Sequence, residues 1–124
     1  MGGIIIGYEI GRLLKKETIF CERVNGKFLL RRGFNIKKGS KVLIVEDVIT
    51  TGKSSGECAN LIKKANASLV GFASIIDRSS KKTLKLKKRI ISHMKIKVPT
   101  YKPSRLPKNL KSLPITTPGS RFLR

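Results

Sequence analysis

The stretch Val42–Ser55, VLIVEDVITTGKSS, constrains this chain more than any other. Val42-Leu43-Ile44-Val45 is an unbroken apolar run, the pattern of a strand buried on both faces in a parallel sheet. Such a strand delivers Glu46 and Asp47 to the carboxyl edge, where open α/β sheets bind ligands. Gly52 permits a tight turn into a helix expected over 54–65, with Ser54 or Ser55 as its N-cap. A second apolar run, Leu69–Ile76, then ends at Asp77-Arg78. Strand, turn, helix and strand make a βαβ unit, which closes right-handed. The expected class is α/β, a mostly parallel sheet flanked by helices.

The loop after the two acids has the chemistry of a phosphate cradle. Gly52 lets successive N–H groups point into one pocket, the helix N-terminus adds partial positive charge, and Thr50, Thr51 and Ser54 supply hydroxyls. Carboxylates beside a phosphate would repel it, unless they face ribose hydroxyls or a shared Mg²⁺. A Walker A loop ending at Gly52-Lys53-Ser54 would need glycine at position 47, where Asp47 stands.

Before this segment, apolar residues at 4, 5, 6, 10, 13 and 14 predict a helix over 3–16. Residues 17–22 read as a short strand. Asn25-Gly26, between Phe20–Val24 and Lys27–Arg31, predicts a hairpin carrying Arg23, Lys27, Arg31 and Arg32. After Arg78, a basic loop over Ser79–Lys88 and a strand within Ile90–Val98 are expected. The five prolines all fall from Pro99 onward and predict an irregular tail. The organisation read is a domain over 1–98 and a basic tail over 99–124.

Composition narrows the function. The 124 residues carry 28 Lys+Arg against 7 Asp+Glu, a net charge of +21. All seven acids precede Arg78, so any work needing carboxylates is done there. No apolar run approaches the ~20 residues of a membrane span, and the amino terminus lacks the basic region of a signal peptide. Cys21 and Cys58 lie far apart in sequence, and His93 is the only histidine. That is no metal-ligand spacing, no disulfide framework and no Ser-His-Asp or Cys-His set. Both cysteines read as filler, in a reduced cytoplasmic setting.

VLIVEDVITTGKS resembles the phosphoribosyl pyrophosphate (PRPP) motif of type I phosphoribosyltransferases, and the chain is similar more narrowly to orotate phosphoribosyltransferases. GGIIIGYEIGR, the Glu22–Phe34 segment ending LRRGF, Ile76-Asp77-Arg78-Ser79 and the closing Pro118-Gly119-Ser120-Arg121 carry the same resemblance. It implies a partial type I phosphoribosyltransferase fold with a basic β-hairpin. The implied reaction is transfer of phosphoribosyl from PRPP to orotate, giving orotidine 5′-monophosphate and pyrophosphate with Mg²⁺. By the resemblance, Glu46 and Asp47 would hold the ribose hydroxyls. Val48, Ile49, Thr50, Thr51, Gly52, Lys53 and Ser54 would wrap the 5′-phosphate, with Thr50 also near orotate. Arg78 would meet the orotate carboxylate, to which a guanidinium fork is suited. The hairpin is similar to the family's mobile catalytic loop, which reaches into a neighbouring subunit and so implies a homodimer. Arg23 and Lys27 would neutralise the leaving pyrophosphate.

Two departures stand beside the resemblance. Met1 aligns with the interior of family members, so a fragment or misplaced start, with little transferase activity alone, is expected. Leu106-Pro107-Lys108-Asn109 stands where relatives often carry C-P-x-C, so no metal or redox role transfers to it. The rival reading is a PRPP-binding regulator or nucleic-acid-binding protein on the same fold, which the basic tail favours. Against it, Tyr101 and Phe122 are the only aromatics from Ser79 on, too few for a stacking platform, so nucleic acid is not the expected partner.

Overall fold

The computed structural model describes residues 2–80, 86–99, 101–114 and 116. The closing Pro118–Arg121 string lies outside them, as do residues 81–85 of the basic loop. In chain order the elements are α1 (Gly3–Leu14), β1 (Cys21–Val24), β2 (Lys27–Leu30), β3 (Lys41–Ile49), α2 (Lys53–Lys64), β4 (Ser68–Asp77) and β5 (Ile90–Lys95). A 3-10 turn at Pro103–Arg105 and a one-turn helix α3 (Lys108–Lys111) follow, in a region read as irregular.

The βαβ unit forms as expected. β3 pairs in parallel with β4 through α2, and β4 pairs in parallel with β5. Beneath α2, Ile44, Ile49, Ile62 and Phe72 form the buried core, with Cys58, Ala59, Leu69, Leu86 and Ile90 packed around it. Fully burying a side chain the size of Phe72 or Ile49 contributes about 1.5–3 kcal/mol. The expectation that Val42–Val45 is buried on both faces is corrected in part. Ile44 is buried, but Leu43 is 37% exposed. Among the described residues the other face carries α1, which lies close to the strand because its contacting positions are glycines: a Cβ on Gly3 would come within 3.1 Å of the Val45 carbonyl oxygen.

Three boundaries move for identifiable reasons. α1 stops at Leu14 because Lys15 adopts a left-handed conformation (φ 52°) and the Lys16 N–H closes onto the Gly11 carbonyl at 2.8 Å. Residues 17–20 form no strand; Thr18 lies against α1, where its hydroxyl donates to the Gly7 carbonyl, and pairing begins at Cys21. β3 continues to Ile49, so Glu46 and Asp47 sit inside the strand rather than beyond its end.

The hairpin forms its own two-stranded antiparallel sheet, with Val24 opposite Lys27. Asn25 and Gly26 both have positive φ, 48° and 77°, as a type I′ turn requires. Among the described residues no helix is long and apolar enough to cross a membrane.

Candidate functional site

The β3–α2 junction is built around Gly52. It is buried, holds φ 71°, and acts as the backbone cap of α2 with no side-chain cap. The expected capping by Ser54 or Ser55 is therefore corrected: both lie inside the helix. The hydroxyl serving the helix start is that of Thr51, which accepts the Lys53 N–H at 3.3 Å. Thr50, Thr51, Lys53 and Ser54 are exposed around the turn. Val48 is 37% exposed, whereas Ile49 is 1% exposed and belongs to the core.

Both acids border the start of α1, and Glu46 alone is tied by a hydrogen bond to α2. The Ser55 hydroxyl of α2 donates to Glu46 Oε1 at 3.1 Å. Asp47 lies at the start of α1, where a Cβ on Gly2 would overlap its carboxylate, and its Oδ1 accepts its neighbour's Val48 N–H at 2.8 Å. The positive end of a helix favours a carboxylate there. Burial pushes the Glu46 carboxyl above the ordinary glutamate range and the Asp47 charge adds to this, while the Ser55 hydroxyl works against it. Its proton is thus held more tightly in the folded chain than in the unfolded one. Glu46 therefore costs stability as pH rises from the ordinary glutamate value through the folded one.

Ser55 is 2% exposed, and its role as a partner of Glu46 is invisible to periodicity. Ser55→Ala is expected to destabilise the chain by about 1–2 kcal/mol at neutral pH. The loss should shrink at acid pH, where Glu46 is protonated and needs no charge-assisted donor. Urea unfolding at the two pH values checks this; an equal loss at both would mean that Ser55 acts through packing alone.

Arg78 comes to the same end of the sheet. Its N–H donates to the Ile49 carbonyl at 2.8 Å, which fixes it beside the end of β3. Its side chain is exposed, and among the described residues no carboxylate pairs with it. The neighbouring Asp77 is paired instead with Lys95, whose Nζ is 3.3 Å from Asp77 Oδ2. Asp77 is 4% exposed and also accepts the Ser79 N–H at 2.8 Å.

The hairpin's cations are not equally free. Arg23 donates to Glu57 of α2 at 2.7 Å and to the Gly26 carbonyl, and it stacks 4.2 Å above the Phe28 ring. Arg31 and Arg32 both reach Glu22, at 3.4 and 2.7 Å. Lys27 is exposed, with no carboxylate partner among the described residues. The contacts to Glu57 and Glu22 link residues 34 and 9–10 apart, and no local sequence signal announces them.

This arrangement has counterparts. A phosphoribosyl transferase domain model matches residues 9–102. An orotate phosphoribosyltransferase of Parvibaculum lavamentivorans is 47% identical over 123 residues, covering 99% of this chain and 63% of that protein. One of Chlorobium phaeobacteroides is 46% identical over 123 residues, with 99% and 63% covered. The chain thus spans somewhat under two thirds of the length of these curated relatives. Among solved structures, adenine phosphoribosyltransferase from Leishmania tarentolae superposes with a TM-score of 0.62 at 17% identity, over 77% of this chain and 58% of that one. The enzyme of that name from Rhodothermus marinus gives 0.59 at 19% identity, over 77% and 65%. At such identities the superpositions speak for the fold, and they agree with the parallel sheet and its loop. The family model covers most of the chain, and the chain belongs to the phosphoribosyl transferase domain family.

Proposed function

We propose that this chain provides the PRPP- and orotate-binding part of an orotate phosphoribosyltransferase. The observation that carries the reading is the convergence of three groups at one sheet end: the Gly52 turn, the acids Glu46 and Asp47, and Arg78 tied back to Ile49. The turn would take the 5′-phosphate through Val48 to Ser54, with Thr50 also bordering orotate. The two carboxylates would accept from ribose hydroxyls, and Arg78 would hold the orotate carboxylate. No side-chain nucleophile is required, because a ring nitrogen of orotate attacks the anomeric carbon. The protein's share is positioning and charge neutralisation. Lys27, exposed on the hairpin, would meet the leaving pyrophosphate. Arg23 would join it by exchanging its ion pair with Glu57 for the anion.

Hard oxygen donors suit magnesium, and among the described residues no cluster of three or more acids, histidines or cysteines forms a cage. Glu46 and Asp47 would offer carboxylate oxygens to a magnesium ion that arrives on PRPP. Such an ion would supply neutralisation of the diphosphate charge. A cytoplasmic homodimer belongs to the same proposal; α1 has apolar surface to bury against a second copy, with Ile5 76% and Leu13 69% exposed. The names of the curated relatives lend nothing to the rival regulatory or nucleic-acid reading.

Calorimetric titration with Mg-PRPP and with orotate tests the proposal. Arg78→Ala should weaken orotate binding by about 2–3 kcal/mol, roughly 30- to 150-fold, and leave PRPP affinity intact. Orotate affinity untouched in the variant would remove Arg78 from the site. Steeply salt-dependent binding of DNA, with no response to either small ligand, would overturn the reading.

A further inference from the structure

Cys21 and Cys58, 37 positions apart in sequence and read there as filler, are neighbours in the folded chain. Cys21 opens β1, and Cys58 lies in the second turn of α2. Both are half-buried free thiols, close enough for each to perturb the other. A second tie holds the same two elements together. Arg23 lies two residues beyond Cys21 on β1, and hence on the same face, while Glu57 directly precedes Cys58; their charged groups are 2.7 Å apart. The two thiols are the chain's only cysteines, so neither has another partner in the chain. The hairpin forms no ladder with the three-stranded sheet, so its attachment runs through such contacts to α2. Cys58 is anchored on its other side by the core around Ile44 and Ile62.

We propose that Cys21 and Cys58 are a thiol–disulfide site: on meeting a low-molecular-weight disulfide such as oxidised glutathione they close into an intramolecular bond that clamps the hairpin onto α2. Cys21 is the attacking sulfur. The neighbouring Cys58 side chain lowers its thiol below the usual range, outweighing burial and the Glu46 charge, while the Cys21 side chain and burial push Cys58 up. The Cys21 thiolate attacks the small disulfide, forming a mixed disulfide and expelling one thiolate. Cys58 then loses its proton to solvent and attacks the Cys21 sulfur, expelling the second thiolate. Two protein thiols are oxidised and one small disulfide is reduced to two thiols. An effect of the clamp on catalysis rests on the function proposed above; the bond itself does not.

The full chain is equilibrated in glutathione redox buffers, folded and in denaturant, then alkylated and digested with trypsin for mass spectrometry. The expected product is peptide 17–23 joined to peptide 54–63, with a disulfide-to-dithiol ratio at least ~10-fold higher in the folded chain, because the fold holds the thiols together. A ratio no higher than in denaturant, or oxidation that stops at mixed disulfides or yields only intermolecular dimers, would overturn the proposal. Amide hydrogen exchange provides the second readout. Exchange across 21–30 should slow at least several-fold in oxidised protein and stay unchanged in Cys58→Ser treated identically. Equal exchange in both would overturn the clamp.

Discussion

Replacing Gly52 with alanine is expected to destabilise the chain by about 2–3 kcal/mol, lower its Tm by roughly 5–10 °C and weaken PRPP binding at least about tenfold. Two independent costs add. The left-handed backbone at φ 71° disfavours any Cβ by about 1–2 kcal/mol. The new methyl would also stand 2.6 Å from Leu86 Cγ and 2.9 Å from its Cδ1. Leu86 packs against the core cluster, so it cannot swing away without giving up that contact. The ligand effect follows from the phosphate binding proposed for this turn, since a turn that relaxes away from left-handed backbone would redirect its amides. A double-mutant cycle with Leu86→Ala separates the costs. The double variant should recover the overlap part of the stability loss and none of the backbone part. Wild-type stability and PRPP affinity in Gly52→Ala would show that the turn tolerates another conformation. The stability measurement stands even if PRPP is not the ligand.

Much of this architecture was legible in the sequence because it depends on local periodicity and turn chemistry. The apolar run Val42–Val45, the glycine at 52 and the run from Leu69 have no other economical reading than a βαβ unit, and Asn25-Gly26 demands the turn it forms. What escaped depends on partners distant in sequence. Glu46 and Asp47 looked equivalent as neighbours in a motif. The strand runs through them, however, and both border the start of α1 while Glu46 alone is tied to Ser55 of α2. Arg23 looked like a free cation at a hairpin tip, yet Glu57, 34 residues on, claims it. The cysteines looked unrelated until β1 was laid on α2. In each case a side chain's role was decided by which element packed beside it, and a single sequence carries that information only through the fold.

Asp77 is a further case in which a tertiary partner decides the role, and its replacement by asparagine is expected to destabilise the chain by about 2 kcal/mol at neutral pH. Only 5% of the side chain is exposed, and its two oxygens have separate partners, the Ser79 N–H and the Lys95 ammonium. Asparagine keeps one acceptor oxygen. If that oxygen serves Ser79, the amide NH₂ is turned toward another donor, Lys95. The loss is moderated because Lys95 is 68% exposed and can return to water. Burial raises the Asp77 carboxyl, but the bonds from Ser79 and the charge and bond of Lys95 outweigh it and hold the group below the ordinary aspartate range. A carboxyl lowered on folding contributes stability above its unfolded pKa and loses it as pH falls through the folded value. The wild type should therefore lose this increment on acidification below the ordinary aspartate range, and Asp77→Asn should not. The two curves should converge in acid, and unfolding followed across that range checks this. The effect reaches the site, because Asp77 lies between Ile76 and the arginine that donates to Ile49. Loosening the strand end frees the Arg78 backbone, so orotate affinity should fall several-fold while PRPP affinity stays near wild type. A variant with neutral-pH stability equal to wild type would show that Ser79 and Lys95 do not clamp this strand end.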